Sequence, residues 1–195
     1  MTYSEIRKDL RTGDIVLFRG RGFFSGLICW VCSIFSGKPT QYSHVGMIVK
    51  EAGRIMLLES TTLNGKNGVQ MNLFSTVLKS YNGKVWVRHL RRKMFAFEIY
   101  ALEKFITDNI GKPYEKHVWE LMAASTPWHI FKGNNKDFFC SELVVKIYQL
   151  WKMITTDIDA KEFSPQDFAL GGAIDSNLRL SEQAACLSKE IELTR

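Results

Sequence analysis

Cys140 is the residue whose type and position best suit covalent catalysis. It follows the polar loop 133–137 and opens a run with helical periodicity, for which Asp137 is the expected N-cap. Unpaired N–H groups and the helix dipole favour a thiolate at such a position, and a thiolate is a strong nucleophile. A buried structural cysteine is the alternative interpretation.

A catalytic thiolate needs a base that takes its proton and later returns it, and imidazole does this best near neutral pH. His44 lies near the start of the alternating run 42–50. Gly46 follows on the same face, which leaves an open space beside the ring. The other histidines lie in a basic cluster or in segments interpreted as loop or helix surface: His89, His117 and His129. A polar strand residue without a catalytic role is the alternative for His44.

Glu59 is the candidate for orienting the imidazole. If the turn at 51–54 has an even number of residues, Lys50 pairs with Ile55, and His44 and Glu59 become diagonal neighbours on one face. An odd number would place Glu59 on the opposite face. Glu59 follows an apolar run in which an unpartnered carboxylate would be costly, so we expect it to have a partner.

The elements that must position these residues alternate between β-type and helical patterns. Predicted strands lie at 15–18, 42–50, 55–60, 69–74 and 84–90, and predicted helices at 23–35, 98–110 and 140–151. The pattern weakens after Gly171, so we expect 171–195 to form a loosely held polar tail. Without repeats or linkers, the chain is interpreted as one α+β domain over 1–195 with its core at about 10–170, an antiparallel sheet packed against helices.

Composition excludes several classes of protein. With 195 residues and 46% hydrophobic content the chain can bury a core without disulfides, and 24% charged residues is typical of a folded protein. The net charge of +6 is modest, and its densest cluster is Arg88, Arg91, Arg92 and Lys93. Because no nucleic-acid-binding motif accompanies this charge, nucleic acid is not an expected partner.

The apolar run 23–35 is too short to span a membrane, and a packed core helix is favoured over peripheral contact with a membrane surface. Cys29 and Cys32 lie within it, and we interpret them as buried thiols because no standard set of zinc ligands surrounds them. No metal or other cofactor is expected. Since residues 1–10 lack the apolar stretch of a secretory signal, the sequence predicts a cytoplasmic protein with reduced cysteines.

Several blocks of the chain resemble one known family. They are, in chain order, Gly13-Asp14-Ile15-Val16-Leu17-Phe18, Tyr42-Ser43-His44-Val45-Gly46-Met47-Ile48, Leu58-Glu59-Ser60, Gly111-Lys112-Pro113-Tyr114, Phe139-Cys140-Ser141-Glu142-Leu143-Val144 and Ser164-Pro165-Gln166-Asp167-Phe168. Together they are similar to the permuted branch of the NlpC/P60 papain-like superfamily, the YaeF/YiiX-type amidases. In that branch the strand histidine precedes the helix-capping cysteine, as it does here.

The resemblance implies a permuted papain-like fold and a cysteine hydrolase that cleaves an amide bond through an acyl-enzyme. It implies His44 as the base, Glu59 as the orienting residue and Cys140 as the nucleophile. Tyr42 and Tyr114 match aromatic positions of the family and are weak candidates for substrate binding, with core or turn packing as the alternative. Glu142 is interpreted as an ordinary helix residue that pairs with Lys146.

Two other functions stay open. One is an acyltransferase or lipid deacylase of the lecithin:retinol acyltransferase type, and the other is a catalytically inert binding module. The expected substrate is a small peptide, an amide or a lipid-linked acyl group. The sequence does not fix the oligomeric state.

Overall fold

The computed structural model describes residues 1–20, 40–61, 67–113, 139–180 and 185–194. Within these ranges six strands form one antiparallel sheet, in the order β4-β3-β2-β1-β5-β6. The strands are β1 (Ile15–Gly20), β2 (His44–Glu51), β3 (Arg54–Thr61), β4 (Gly68–Leu73), β5 (Gly83–Arg88) and β6 (Ile191–Leu193). The antiparallel sheet expected from the sequence is therefore confirmed.

Helices cover both faces of this sheet. The α-helices are α1 (Tyr3–Ile6), α2 (Phe74–Ser80), α3 (Ala96–Asn109), α4 (Cys140–Leu150) and α5 (Ala173–Leu180), and short 3-10 turns lie at Ala160–Glu162 and Pro165–Phe168. Helices α3 and α4 match the sequence prediction to within two residues, whereas α1 and α2 were not predicted. No helix in the described ranges is both long enough and apolar enough to cross a membrane.

The alternation of side chains along β1 builds two apolar layers. Ile15 and Leu17 join the cluster that contains α3 and α4, while Val16 and Phe18 join the cluster that contains α1 and α2. All four side chains are at most 1% exposed. The sheet is thus buried on both faces, which explains why 15–18 reads as a continuous apolar run rather than as an alternating one.

The β2–β3 hairpin has the register expected for an even turn. Lys50 pairs with Ile55, and the two turn residues Ala52 and Gly53 have φ angles of 45° and 77°. Positive φ at both positions is the geometry of a tight two-residue hairpin turn. This register places Glu59 on the same face as His44.

Helix α4 begins at Cys140, and the residue before it is Phe139. The backbone N–H of Phe139 donates to Glu142 Oε2 at 3.4 Å, as in a capping box. The expectation that Asp137 is the N-cap is therefore wrong, because the helix starts two residues later than that position requires.

The expectation of a loosely held tail after Gly171 is also wrong. Strand β6 pairs with β5, and Ile174 and Leu178 of α5 are fully buried. The guanidinium of Arg88, itself fully buried, donates to both carboxylate oxygens of Asp175 at 2.9 Å. This ion pair ties α5 to β5, a relationship that no local sequence pattern reveals.

Several predicted features lie outside the described residues. They are the apolar run 23–35 with Cys29 and Cys32, the candidate Tyr114, and the histidines His117 and His129.

Candidate active site

The first residue of β2 and the last part of β3 bring His44 and Glu59 together. The Nε2 atom of His44 lies 2.8 Å from Oε2 of Glu59, and the two side chains are 14% and 4% exposed. The sequence predicts that these residues are diagonal neighbours within reach of a long side chain. The register of the hairpin produces this contact. The partner expected for the buried Glu59 carboxylate is the imidazole.

Gly46 makes this approach possible, although not in the way the sequence suggested. A Cβ atom at this position would lie 2.8 Å from Leu57 Cδ1 and 3.4 Å from Glu59 Cβ. The expected open space beside the imidazole is therefore filled by the neighbouring strand. The absent side chain lets β3 carry Glu59 close to His44.

Helix α4 places Cys140 at the other side of the imidazole. The helix packs against β2 and β3 through Leu143, Val144 and Ile147, which are fully buried, and Cys140 is 5% exposed. The His44 ring and the Cys140 sulfur lie close enough for each group to shift the pKa of the other. Because Nε2 is engaged by Glu59, Nδ1 is the ring nitrogen left for the sulfur.

The backbone N–H groups of Val45 and Ser141 also lie close enough to the sulfur to affect its pKa. Burial by itself would raise the pKa of Cys140, but the charge of His44, with hydrogen bonding from its ring and from these N–H groups, lowers it below its ordinary value. The site therefore favours the thiolate.

The pKa of His44 shifts in the opposite direction. Burial alone would lower its pKa, but the Cys140 thiolate and the Glu59 carboxylate raise it to about 10. Both shifts favour a thiolate–imidazolium pair. The described geometry thus places a candidate nucleophile beside a candidate acid, with a carboxylate that orients the acid.

The backbone just before His44 is held by Gln166, from the 3-10 turn Pro165–Phe168. Its Oε1 accepts hydrogen bonds from the N–H of Gln41 at 2.6 Å and from that of Tyr42 at 3.4 Å. Gln166 belongs to a block that carried the family resemblance, but sequence reasoning gave it no role. The signal that could have indicated a role for Gln166 is that it is a polar residue within a block shared with the family.

The structure buries Tyr42. Its side chain is 2% exposed, and its ring packs edge-on against Trp86 with the centroids 5.1 Å apart. Burial, followed by the negative charge of the neighbouring Glu190 carboxylate, raises the pKa of its hydroxyl. These contacts are the core packing that sequence analysis gave as the alternative to substrate binding.

Glu142 has the helix contacts that the sequence predicts. Its Oε1 lies 2.8 Å from Nζ of Lys146 one turn later, which confirms that pair. Unlike an ordinary surface residue, however, Glu142 is fully buried, and it also caps α4 at Phe139.

A second histidine–carboxylate contact lies at the end of β5. Nδ1 of His89 is 2.8 Å from Oδ2 of Asp14, while the backbone N–H groups of Arg11 and Leu90 donate to the same carboxylate. Together these contacts join the turn before β1 to the end of β5. Sequence reasoning missed this pair.

Within the described ranges, no three His, Cys, Asp or Glu side chains are grouped so that they could hold a metal ion. Cys140 and Cys186 are free thiols.

Comparison with known proteins agrees with this fold. The chain is similar to the crystal structure of the metalloprotein YiiX from Escherichia coli O157:H7, with a TM-score of 0.53 and 18% sequence identity. The match covers 95% of this chain and 97% of that one, so the two share their fold along nearly their whole length. A comparison with curated protein sequences gives no match. Residues 9–169 match the family model of the permuted papain-like amidase enzymes, YaeF/YiiX, C92 family, and because this match spans most of the sequence, the chain belongs to that family.

Proposed function

We propose that this protein is a cysteine hydrolase that cleaves an amide bond, in a small peptide or an amidase-type substrate, through Cys140, His44 and Glu59. One observation carries the proposal: Nε2 of His44 lies 2.8 Å from the Glu59 carboxylate, while the same ring lies close enough to the Cys140 sulfur that each shifts the pKa of the other. This is the nucleophile, base and orienting group that acyl transfer requires.

In the first step the Cys140 thiolate attacks the carbonyl carbon of the substrate, and the carbonyl π electrons move to the oxygen. The oxyanion forms beside the start of α4, where the backbone N–H of Cys140 is available to donate to it. The lowered pKa of Cys140 and the raised pKa of His44 favour the state in which His44 holds the proton before the attack.

In the second step the tetrahedral intermediate collapses and the C–N bond breaks. His44 gives its Nδ1 proton to the leaving amine, which departs neutral, and the acyl group stays on the sulfur as a thioester. Glu59 holds the ring through Nε2 during this transfer, so that Nδ1 keeps facing the reacting atoms.

Water then completes the cycle. Neutral His44 takes a proton from the water as its oxygen attacks the thioester, and the carboxylic acid product leaves with the thiolate–imidazolium pair restored. An alcohol or amine acceptor in place of water would make the same thioester the intermediate of acyl transfer, which is the alternative that the sequence left open.

The test offers two substrate sets, a library of short peptides and N-acyl amides and a set of labelled acyl-lipids, and follows products by mass spectrometry. We expect hydrolysis of an amide by the wild-type protein, its loss in Cys140→Ala and His44→Ala, and full activity in Cys186→Ala. The last variant is the matched control, because Cys186 is the second free thiol of the described chain.

Labelling with iodoacetamide gives a readout that needs no substrate. We expect Cys140 to react below pH 8 in the wild type and to lose this reactivity in His44→Ala, with Cys186 as the internal reference. Turnover retained by Cys140→Ala would overturn the proposal. Absence of turnover, together with Cys140 labelling rates that are the same in the wild type and in His44→Ala, would instead indicate an inert binding module.

A further inference from the structure

The basic cluster of the sequence is divided by the structure into an inner and an outer half. Over residues 91–95, exposed side chains alternate with partly buried ones. Arg92 turns inward, where its guanidinium donates to both carboxylate oxygens of Glu98 at 2.7 and 3.0 Å. Met94 also packs against the core. Arg91, Lys93 and Phe95 are therefore presented together on the outer side.

Aromatic rings extend this outer side onto the first turns of α3. Phe95, Phe97 and Tyr100 are 56%, 69% and 69% exposed. The rings of Phe95 and Phe97 lie nearly parallel, 7° apart in plane, with their centroids at 5.8 Å. Tyr100 follows Phe97 by three residues and so lies on the same side of the helix. We call these three residues with Arg91 and Lys93 the aromatic–basic patch.

Buried charged residues support the Phe95 end of the patch from beneath. The Arg92 guanidinium lies 5.3 Å from the centre of the Phe95 ring, and the Phe95 N–H donates to Glu98 at 2.8 Å. The ion pair of Arg92 and Glu98 is itself almost fully buried. An apolar surface fixed outward in this way, rather than folded onto the core, indicates a binding surface.

The patch lies away from the candidate active site. The indole of Trp151, just after the C-terminal end of α4, donates to the carbonyl of Glu98 in the first turn of α3. Cys140 lies at the opposite end of α4, about 15 Å away for a helix of this length. Binding at the patch and chemistry at Cys140 are therefore separable.

We propose that the aromatic–basic patch docks the protein on an anionic lipid bilayer. Aromatic rings enter the interfacial region of a bilayer, and adjacent cations are attracted to its negative surface. The charge of Arg91 and Lys93 selects this partner over a second copy of the chain. A two-fold contact through the patch would bring these cations near their own equivalents, whereas an anionic surface neutralises them.

The experiment measures cosedimentation of the full chain with phosphatidylcholine vesicles, with and without phosphatidylserine at about 30 mol %. We expect binding to the anionic vesicles only, weakened when salt is raised from about 0.1 to about 0.5 M. Arg91→Glu/Lys93→Glu should lower the partition coefficient at least about tenfold. Phe95→Ser/Phe97→Ser should lower it similarly, and serine suits the position before α3.

Matched variants separate the patch from general charge and apolarity. Arg7→Glu/Lys8→Glu makes the same charge change at exposed residues elsewhere, and Leu170→Ser removes another exposed apolar side chain. We expect both to bind like the wild type, and Cys140→Ala likewise. Equal binding by the patch variants and by Arg7→Glu/Lys8→Glu would overturn the proposal. Absence of binding to anionic vesicles would also overturn it. If the chain then proves to be a dimer that Phe95→Ser/Phe97→Ser dissociates, the patch serves self-association instead.

Discussion

His44 contacts Glu59 through Nε2, with 2.8 Å between the nitrogen and Oε2, and this contact determines which ring nitrogen faces Cys140. A carboxylate that is 4% exposed has lost most of its contact with water, and the hydrogen bond to the imidazole offsets part of that loss. Burial of Glu59 and orientation of His44 are thus one structural feature, which the register of a single hairpin creates.

Glu59→Gln keeps the size of the side chain and removes its charge. We expect turnover to fall by about 10- to 100-fold, less than in Cys140→Ala, because an amide still orients the ring but does not stabilise the imidazolium. The loss of activity at high pH should also begin at a lower pH, since the Glu59 charge contributes to the raised pKa of His44. Rates across pH check this against the exposed control Glu103→Gln, and an unchanged profile would remove Glu59 from the mechanism.

The pKa shifts predict that labelling and turnover respond differently to pH. Alkylation of Cys140 should rise through its lowered pKa and then stay high, because only the thiolate is needed. Turnover should rise over the same range and fall as His44 loses its proton near pH 10, because the leaving amine then lacks its acid. In His44→Ala the rise in labelling should move to higher pH. Turnover that persists well above pH 10 would contradict this role of His44.

The parts of the site that the sequence predicted are those fixed by neighbouring residues. A two-residue turn sets the hairpin register, and the helical period sets the side of α4 that carries Cys140. The approach of α4 to β2 depends on the whole fold, so the sequence could name His44 as the candidate base for Cys140 from its type and position, but not the contact between them. The tail after Gly171 was mistaken for a loose segment because Asp175 finds its partner 87 residues earlier in the chain.

Gly46→Ala tests the close approach of β3. The new Cβ would meet Leu57 Cδ1 at 2.8 Å, which rotation of that side chain can relieve, and the carbonyl oxygen of Leu58 at 3.0 Å, which a shift of a few tenths of an ångström in β3 next to Glu59 would relieve. We expect turnover to fall about tenfold or more while the chain stays folded, because a displacement of under 1 Å is costly at a reacting centre. Circular dichroism and rate measurements separate these effects. Full activity would mean that Leu57 alone absorbs the change.

Gln166 is expected to act as a positioning residue for His44. Gln166→Leu removes the oxygen that accepts from the N–H groups of Gln41 and Tyr42, whereas Gln166→Glu retains an acceptor at that place. We expect kcat to fall in the leucine variant, with the low-pH labelling of Cys140 reduced, and to recover in the glutamate variant. If Gln166 only stabilised the fold, the rate of Cys140 labelling at low pH would be the same in the leucine variant as in the wild type. Equal loss in both variants would contradict the assignment.

Arg88→Met tests whether the C-terminal segment is an integral part of the fold. Arg88 is fully buried and donates to Asp175, to the carbonyl of Phe168 and to that of Ser188. Its removal leaves a buried carboxylate and two carbonyls without this donor, so we expect the free energy of unfolding to fall by about 3–5 kcal/mol. Urea denaturation measures this loss, and the exposed Arg54→Met should change it by less than about 0.5 kcal/mol. A small loss in Arg88→Met would mean that residues after Gly171 contribute little to stability. A large one means that the contacts of Arg88 with Asp175 of α5 and with Ser188 hold the C-terminal segment on the sheet as part of the fold.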